Sequence, residues 1–94
     1  MDANDVRGHL DGLLLAVLES GPLHGYGIIE ALQRRSGGAL QLPTGTVYPA
    51  LRRLERARWI EGTWSVVDGR KRRTYSLSPA GRKELARRRS EWVR

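Results

Sequence analysis

Residues 43–58 read PTGTVYPALRRLERAR and, wound as a single helix, present two chemically different faces. The first is an apolar stripe at i, i+3, i+4 and i+7 spacing, formed by Val47, Ala50, Leu51 and Leu54. The second follows four-residue spacing and is formed by Tyr48, Arg52 and Arg56, with Arg53 beside it. The stripe predicts docking on a core. The second face offers hydroxyl and guanidinium donors, which suit a DNA groove but are also common on solvated helices.

The start of this helix is open to two interpretations. Pro43 fits the first helical position, where a missing N–H costs little, and Thr44 or Thr46 can serve as the cap. If the helix begins near residue 43, Pro49 removes one backbone hydrogen bond and bends the first turns. If Thr46 is the cap, Pro49 falls in the first turn at little cost. Both interpretations predict free N–H groups at the amino end, which attract phosphate.

The chain has 94 residues and a formal net charge of +7, and this charge is unevenly distributed. Residues 1–33 contain one base and five acids, whereas residues 34–94 contain sixteen bases and five acids. A small domain of this charge is expected to meet a polyanion through its later two-thirds, with nucleic acid ahead of an anionic membrane surface. The short length limits the core, so dimerisation is an expected source of stability.

Cysteine is absent from the chain, which excludes disulfides and thiolate metal sites. The longest apolar run, residues 13–18, is six residues long, and acids stand where a secretion signal would have bases. We therefore expect a cytoplasmic, nucleoid-associated protein that makes no membrane contact. His9 and His24 lack a cysteine or a helically spaced partner, so no metal or other cofactor is expected. His24 is interpreted instead as a cap of the second helix or a partner of the backbone.

Periodic apolar positions predict two helices before residue 43. The first covers about residues 7–20 and ends at a Gly-Pro pair, and the second covers about 24–35 and ends at a Ser-Gly-Gly sequence. Gly25 and Gly27 weaken the second helix and indicate close approach to another helix or to DNA. Residues 40–42 alternate apolar and polar side chains and are expected to add a short edge strand.

A β-hairpin is predicted around Asp68-Gly69, a two-residue turn signal between residues 60–67 and 70–77. Pairing across the turn sets Val67 opposite Arg70, Trp64 opposite Arg73, and Ile60 opposite Leu77. One face is expected to cover the helices and carries Ile60, Trp64, Val66, Arg73, Tyr75 and Leu77. On that face Arg73 is expected to stack over Trp64.

The tip of the hairpin carries four consecutive bases, Arg70, Lys71, Arg72 and Arg73. Like charges this close together repel one another unless an anion neutralises them, although a solvated charge run is the usual alternative. Because a Thr/Tyr/Arg helix accompanies them, we expect these bases to contact phosphates or a groove.

Ser78-Pro79 is expected to open a fourth helix as its cap and first residue. This helix is very basic, and its partial apolar stripe includes Leu85, Trp92 and Val93. No stop signal precedes the end of the sequence. We expect an incomplete dimerisation helix, because exposed Trp92 and Val93 would be a liability for a monomer.

The order helix, helix, short strand, helix, hairpin, helix predicts a mainly α fold with a small antiparallel β-wing, the winged helix-turn-helix. We expect residues 1–77 to form this domain and residues 78–94 to form the C-terminal dimerisation helix. In such a fold the third helix enters the major groove, and the hairpin, or wing, meets the backbone or the minor groove. The two basic elements would then lie on one side of the molecule.

Three segments resemble the PadR family of bacterial transcriptional regulators. They read LLLAVLESGPLHGYGII over 13–29, GTVYPALRRLE over 45–55 and RTYSLSPAG over 73–81. The resemblance implies a homodimeric repressor that binds an inverted-repeat operator in double-stranded DNA and is released by a small, often aromatic, molecule. It also implies dimerisation through the C-terminal helix with help from the first helix, for which the candidates are Leu10, Leu14, Leu85, Trp92 and Val93.

The resemblance assigns residues to DNA as well. Thr46, Tyr48, Pro49 and Arg52 match the family's DNA-reading helix, and Tyr26 matches a tyrosine near the DNA backbone or the core. Together with the charge pattern, this gives the candidate DNA-binding residues Tyr26, Thr44, Thr46, Tyr48, Pro49, Arg52, Arg53, Arg70, Lys71, Arg72 and Arg73.

Other classes of function fit less well. Ser20, Ser36 and Glu30 have no acid–base partner at useful spacing, so catalysis is not expected. RNA recognition usually needs an exposed aromatic platform that the sequence lacks. A winged-helix module that binds an acidic protein partner remains the alternative, and equal retention on specific and scrambled duplexes would favour it.

Overall fold

A computed structural model of the chain describes residues 3–39 and 42–92. The helices and strands, in chain order, are α1 Ala3–Val17, β1 Leu23–His24, α2 Gly25–Arg35, α3 Thr44–Arg56, β2 Ile60–Val67, β3 Arg70–Leu77 and α4 Pro79–Trp92. A 3₁₀ turn, Leu18–Ser20, extends α1. The strands form one antiparallel sheet in the order β1-β3-β2. The mainly α winged helix-turn-helix with a small antiparallel sheet is thereby confirmed.

The third strand of the sheet lies elsewhere than expected. It is Leu23–His24, directly before α2, where Leu23 pairs with Tyr75 and His24 with Thr74 of β3. Of the expected strand at 40–42, residues 40 and 41 lie outside the described part of the chain, and Leu42 is not in a strand. Two residues carry too little periodicity to be recognised as a strand, and only the exposed ladder of β3 makes them one.

The hairpin has the register that the turn signal predicts. Val67 pairs with Arg70, Trp64 with Arg73, and Ile60 with Leu77. Asp68 and Gly69 have φ angles of 52° and 76°, the left-handed conformations that a two-residue turn of this kind requires. This tight turn fixes which side chains share a face along both strands.

The apolar face of the hairpin covers the helices only at its base. Ile60 and Tyr75 are buried there. Trp64 and Val66, expected to lie against the helices, are 66% and 67% exposed, so that part of the prediction is wrong. The reason is length: β2 and β3 have eight residues each and extend beyond the helical body.

The core is shared by the four helices and the base of the sheet. Its fully buried side chains include Leu14, Leu15, Leu18, Ile28, Val47, Leu51, Leu54, Ile60 and Leu85. Three of the expected dimer contacts, Leu10, Leu14 and Leu85, are only 7%, 0% and 2% exposed within one chain. These three side chains are already covered within the protomer, because α1 packs against α4 and the other helices. Their part in a dimer stays a prediction.

Helix α3 begins at Thr44 and is capped by the backbone alone. Pro43 is the residue before the helix, not its first residue, and its carbonyl accepts the N–H groups of Thr46 at 2.9 Å and Val47 at 3.2 Å. No threonine side chain caps the helix, so the expected Thr44 or Thr46 cap is absent. Pro49 lies inside the helix, which supports the first of the two interpretations: one backbone hydrogen bond is missing near the amino end.

Helix α4 starts as the sequence predicts. The Ser78 hydroxyl accepts the Gly81 N–H at 3.0 Å and donates to the Arg58 carbonyl at 2.7 Å. The same helix is tied to the amino-terminal part of the chain by Arg88, which donates to the Gly8 carbonyl at 2.9 Å, and by Arg89, which forms two hydrogen bonds with Glu19. Within residues 3–39 and 42–92, no helix has the length and apolar character needed to cross a membrane.

Candidate nucleic-acid interface

Helix α3 divides into the two faces that its sequence indicates. The buried face consists of Val47, Ala50, Leu51 and Leu54. The outer face is exposed to solvent and includes Thr44, Thr46, Arg52 and Arg56, while Pro49 is half-buried at its edge. The burial of four apolar side chains, each worth about 1–3 kcal/mol, holds the helix so that its polar face points outward.

Tyr48 is half-buried because it packs on the first residue of α2. A Cβ atom built on Gly25 would lie about 2.3 Å from the Tyr48 hydroxyl oxygen, closer than any side chain tolerates. Gly25 therefore leaves the space that the Tyr48 ring fills. Packing between α2 and α3 therefore explains Gly25, one of the two glycines that weaken α2. It also sets Tyr48 beside Tyr26, which is 65% exposed.

The wing tip is the second exposed basic element. Arg70, Lys71 and Arg72 are exposed, and within the described residues none of them pairs with a carboxylate. Arg52 of α3 is likewise exposed and has no carboxylate partner in that part of the chain. Arg56 of α3 is exposed and without a carboxylate partner there as well, so five positive charges are available to an anion on these two elements.

An open groove of about 620 Å³ connects the two elements. Its walls are the start of α2, Tyr48 of α3, Trp64 of β2 and residues 70–73 of the wing. The side chains of Tyr48, Arg70, Lys71 and Arg72 border the same concave surface. The expectation that the helix and the cationic turn project to one side thus has direct geometric support.

Two of the arginines expected to contact phosphates, Arg53 and Arg73, form salt bridges with carboxylates of the same chain. The Arg53 guanidinium donates to Asp11 of α1 at 2.9 Å. The Arg73 guanidinium donates to Glu55 of α3 at 2.6 Å. Each arginine thus has a close opposite charge that local sequence spacing does not reveal, and its contact with phosphate stays a prediction.

Arg73 is in addition built into the hairpin. Its guanidinium carbon lies 5.4 Å from the centre of the Trp64 ring, which confirms the expected stacking. A Cβ on Gly62 would lie 2.7 Å from the same guanidinium, so this glycine makes room for it. The hydrogen bond to the Glu55 carboxylate raises the pKa of Arg73 above its ordinary value. Arg73 thus joins α3 to the wing and fixes their relative positions.

His24 caps α2, in the role the sequence indicates. Its Nδ1 atom accepts the Gly27 N–H at 3.1 Å. Its other ring nitrogen, Nε2, lies 3.2 Å from Nη1 of Arg72 on the wing. The sequence does not indicate this second contact, because the two residues are 48 positions apart and meet only through the β1–β3 pairing.

The two remaining candidates, Trp92 and Val93, lie at and just beyond the carboxyl end of the described residues. Helix α4 ends at Trp92, whose side chain is outside the described set, and Val93 lies outside the described residues altogether. Among residues 3–39 and 42–92, no cluster of three or more histidine, aspartate or glutamate side chains is arranged to hold a metal ion.

The chain is similar to known proteins over most of its length. The family model described as "Transcriptional regulator PadR-like family" matches residues 14–87. The transcriptional regulator Rv3488 of Mycobacterium tuberculosis is 40% identical over 63 residues, which cover 67% of this chain and 56% of that protein. Uncharacterized protein X of Lysinibacillus sphaericus is 32% identical over 89 residues, covering 94% of this chain and 82% of that protein.

Solved structures show the same similarity. A PadR family transcription regulator from Clostridium difficile has a TM-score of 0.79 and 33% identity, covering 92% of this chain and 88% of that one. A transcriptional regulator from Clostridium thermocellum has a TM-score of 0.87 and 25% identity, covering 97% of this chain and 89% of that one. With the family match spanning most of its residues, the chain belongs to the PadR-like family of transcriptional regulators.

Proposed function

We propose that this protein binds double-stranded DNA sequence-specifically, as a homodimer on an inverted-repeat operator, and represses transcription. Its family consists of transcriptional regulators and not of enzymes. The observation that carries the proposal is the shared groove: Tyr48 of α3 and the exposed bases of the wing border one concave surface. A duplex lying across this surface would meet both elements at once.

Each element has a distinct part in the proposed complex. Helix α3 enters the major groove, where Thr44, Thr46, Tyr48 and Pro49 touch base edges and backbone. Arg52 and the three wing-tip bases neutralise phosphates on either side of that groove. Tyr26, exposed at the groove wall, contacts the backbone beside α2. Arg53 and Arg73 serve by positioning α3 and the wing, because both are paired with carboxylates.

The proposed dimer places two copies of α3 on successive half-sites. Such helices sit about 34 Å apart, one turn of DNA, when a two-fold dimer reads a palindrome. We propose that residues 78–94 form the dimerisation helix, with Trp92 and Val93 as its apolar contacts. Leu10, Leu14 and Leu85 then stabilise the interface from beneath, because they lie inside the protomer core.

We also propose that a small aromatic molecule releases the DNA, and two contacts support a route from α4 to α3. Arg88 of α4 donates to the Gly8 carbonyl of α1, and Asp11, about one turn later, holds Arg53 of α3. A ligand wedged between two α4 helices would displace α1 and thereby α3. Compounds that change tryptophan fluorescence should then also release the duplex; change in one signal without the other would contradict this route.

The proposed function is tested by selection from a random-sequence duplex pool, followed by competition with a scrambled duplex. We expect an enriched inverted repeat that outcompetes the scrambled control. If each protomer neutralises about four phosphates, log affinity should fall against log salt with a slope of roughly −7 for the dimer. Equal retention of both duplexes, or a slope near zero, would contradict DNA recognition and favour an acidic protein partner.

A further inference from the structure

The orientation of the His24 ring is fixed by its cap hydrogen bond. The Gly27 N–H is always a donor, so Nδ1 of His24, 3.1 Å away, must act as the acceptor. A neutral imidazole that accepts at Nδ1 carries its proton on Nε2. The outward-facing nitrogen of His24 is therefore a hydrogen-bond donor.

Arg72 brings a second donor to the same point. Its Nη1 atom lies 3.2 Å from Nε2 of His24, and a guanidinium has no acceptor. Two N–H donors at this distance cannot satisfy each other. Each donor needs an acceptor, and one acceptor atom placed where the two N–H groups converge can serve both.

The sheet register explains why the two donors meet. His24 pairs with Thr74, so Arg72, two residues earlier on β3, is its diagonal neighbour on the same face of the sheet. Both side chains border the groove that Tyr48 of α3 also lines. The missing acceptor would therefore come from whatever occupies this groove.

Among the described residues, neither His24 Nε2 nor Arg72 Nη1 has a hydrogen bond to an acceptor atom. Glu30 is the carboxylate among the groove walls, and it is mainly exposed and lies 4.0 Å from Arg34 on its own helix. The wing bases beside Arg72 are donors only. Solvent can satisfy such exposed donors, but an anionic oxygen placed between the two N–H groups is a stronger acceptor than water.

We propose that one backbone phosphate of the bound DNA accepts hydrogen bonds from both His24 and Arg72. This inference rests on the proposed function and adds His24 to the DNA-contacting residues. The shared phosphate joins the start of α2 to the wing, so it fixes the angle at which α3 enters the groove. It contributes affinity for any sequence, since phosphates carry no base identity.

The test compares His24→Asn with the parent protein on the duplex enriched by selection. Asparagine caps a helix as well as histidine does but has no donor at the Nε2 position, so the unfolding temperature should stay the same. We expect a roughly tenfold loss of affinity, as for a hydrogen bond to a charged group. The salt slope should not change, because the lost donor is neutral, whereas Arg72→Gln should make the dimer's slope shallower by about 2.

Coupling between the two residues gives the decisive result. In an Arg72→Gln background, adding His24→Asn should cost less than about threefold, because the shared phosphate has already lost one donor. Methylphosphonate substitution along the duplex should reveal one position per half-site at which parent and His24→Asn bind equally. His24→Ser, which also caps, repeats the measurement if the asparagine variant is unstable.

Two results would overturn the inference and leave the proposed function standing. The first is salt-dependent, sequence-specific binding by the parent with equal affinity for His24→Asn. The second is a full tenfold effect of His24→Asn in the Arg72→Gln background, which would place the two residues on different contacts. A parent protein that binds no duplex would instead contradict the proposed function itself.

Discussion

Arg52→Glu should reduce affinity for the selected duplex by at least about 100-fold while leaving the unfolding temperature unchanged. Arg52 is exposed on the outer face of α3, one helical turn after Tyr48, and has no carboxylate partner in the described residues. A carboxylate at this position would face the DNA backbone and repel it. Electrophoretic mobility shift or fluorescence anisotropy measures the loss.

Arg35→Glu is the matched control for this reversal. It changes the net charge by the same two units but lies exposed at the carboxyl end of α2, away from the end of that helix that borders the groove. We expect it to weaken binding by less than about threefold, through the long-range field alone. Equal losses for both variants would mean that total charge, and not the α3 face, governs binding.

The largest expected effect on stability belongs to Gly81→Ala. Alanine in a helix normally stabilises by about 1 kcal/mol relative to glycine. Here, however, the added Cβ would lie 1.9 Å from the backbone oxygen of Trp59 and 2.9 Å from Leu77. Helix α4 would have to move off the junction between α3 and β2. We expect a loss of roughly 3 kcal/mol or more, a large part of a small domain's stability.

Urea denaturation of Gly81→Ala and Gly8→Ala measures this effect against a control. Gly8 lies in α1, and beyond its own helical turn a Cβ there meets no atom of the described residues within 4 Å. Gly8→Ala should therefore be neutral or stabilising by up to about 1 kcal/mol. A Gly81→Ala protein as stable as its parent would show that the tight contact between α4 and Trp59 does not exist.

Short sequence signals predict the parts of the fold that turn and cap chemistry determine. Asp68-Gly69 set the hairpin register, and Ser78-Pro79 set the start of α4, because turn and cap chemistry act within a few residues. The strand Leu23–His24 exists only because β3 offers it a ladder some fifty residues later. The exposure of Trp64 likewise depends on how far the wing projects beyond the helices.

The candidate site can likewise be predicted from local sequence only in part. The sequence locates the cations, but it does not show which of them meet a carboxylate across the fold. Arg53 and Asp11 are 42 residues apart, and Arg73 and Glu55 are 18 apart, so neither pair follows a helical or strand spacing. The position of His24 before α2 predicts a cap, whereas its approach to Arg72 follows only from the sheet topology. Ion pairing thus separates the bases that position α3 from those that remain available to DNA.

The central claim is that the outer face of α3 and the wing tip together form the DNA-binding surface. Titrating ¹⁵N-labelled protein with the selected duplex, and following backbone amide shifts, tests it most directly. We predict the largest changes at Thr46, Tyr48, Arg52 and residues 70–72, with the exposed side of α4 around Lys83 unaffected. Changes concentrated on α4, or absent from both α3 and the wing, would contradict it.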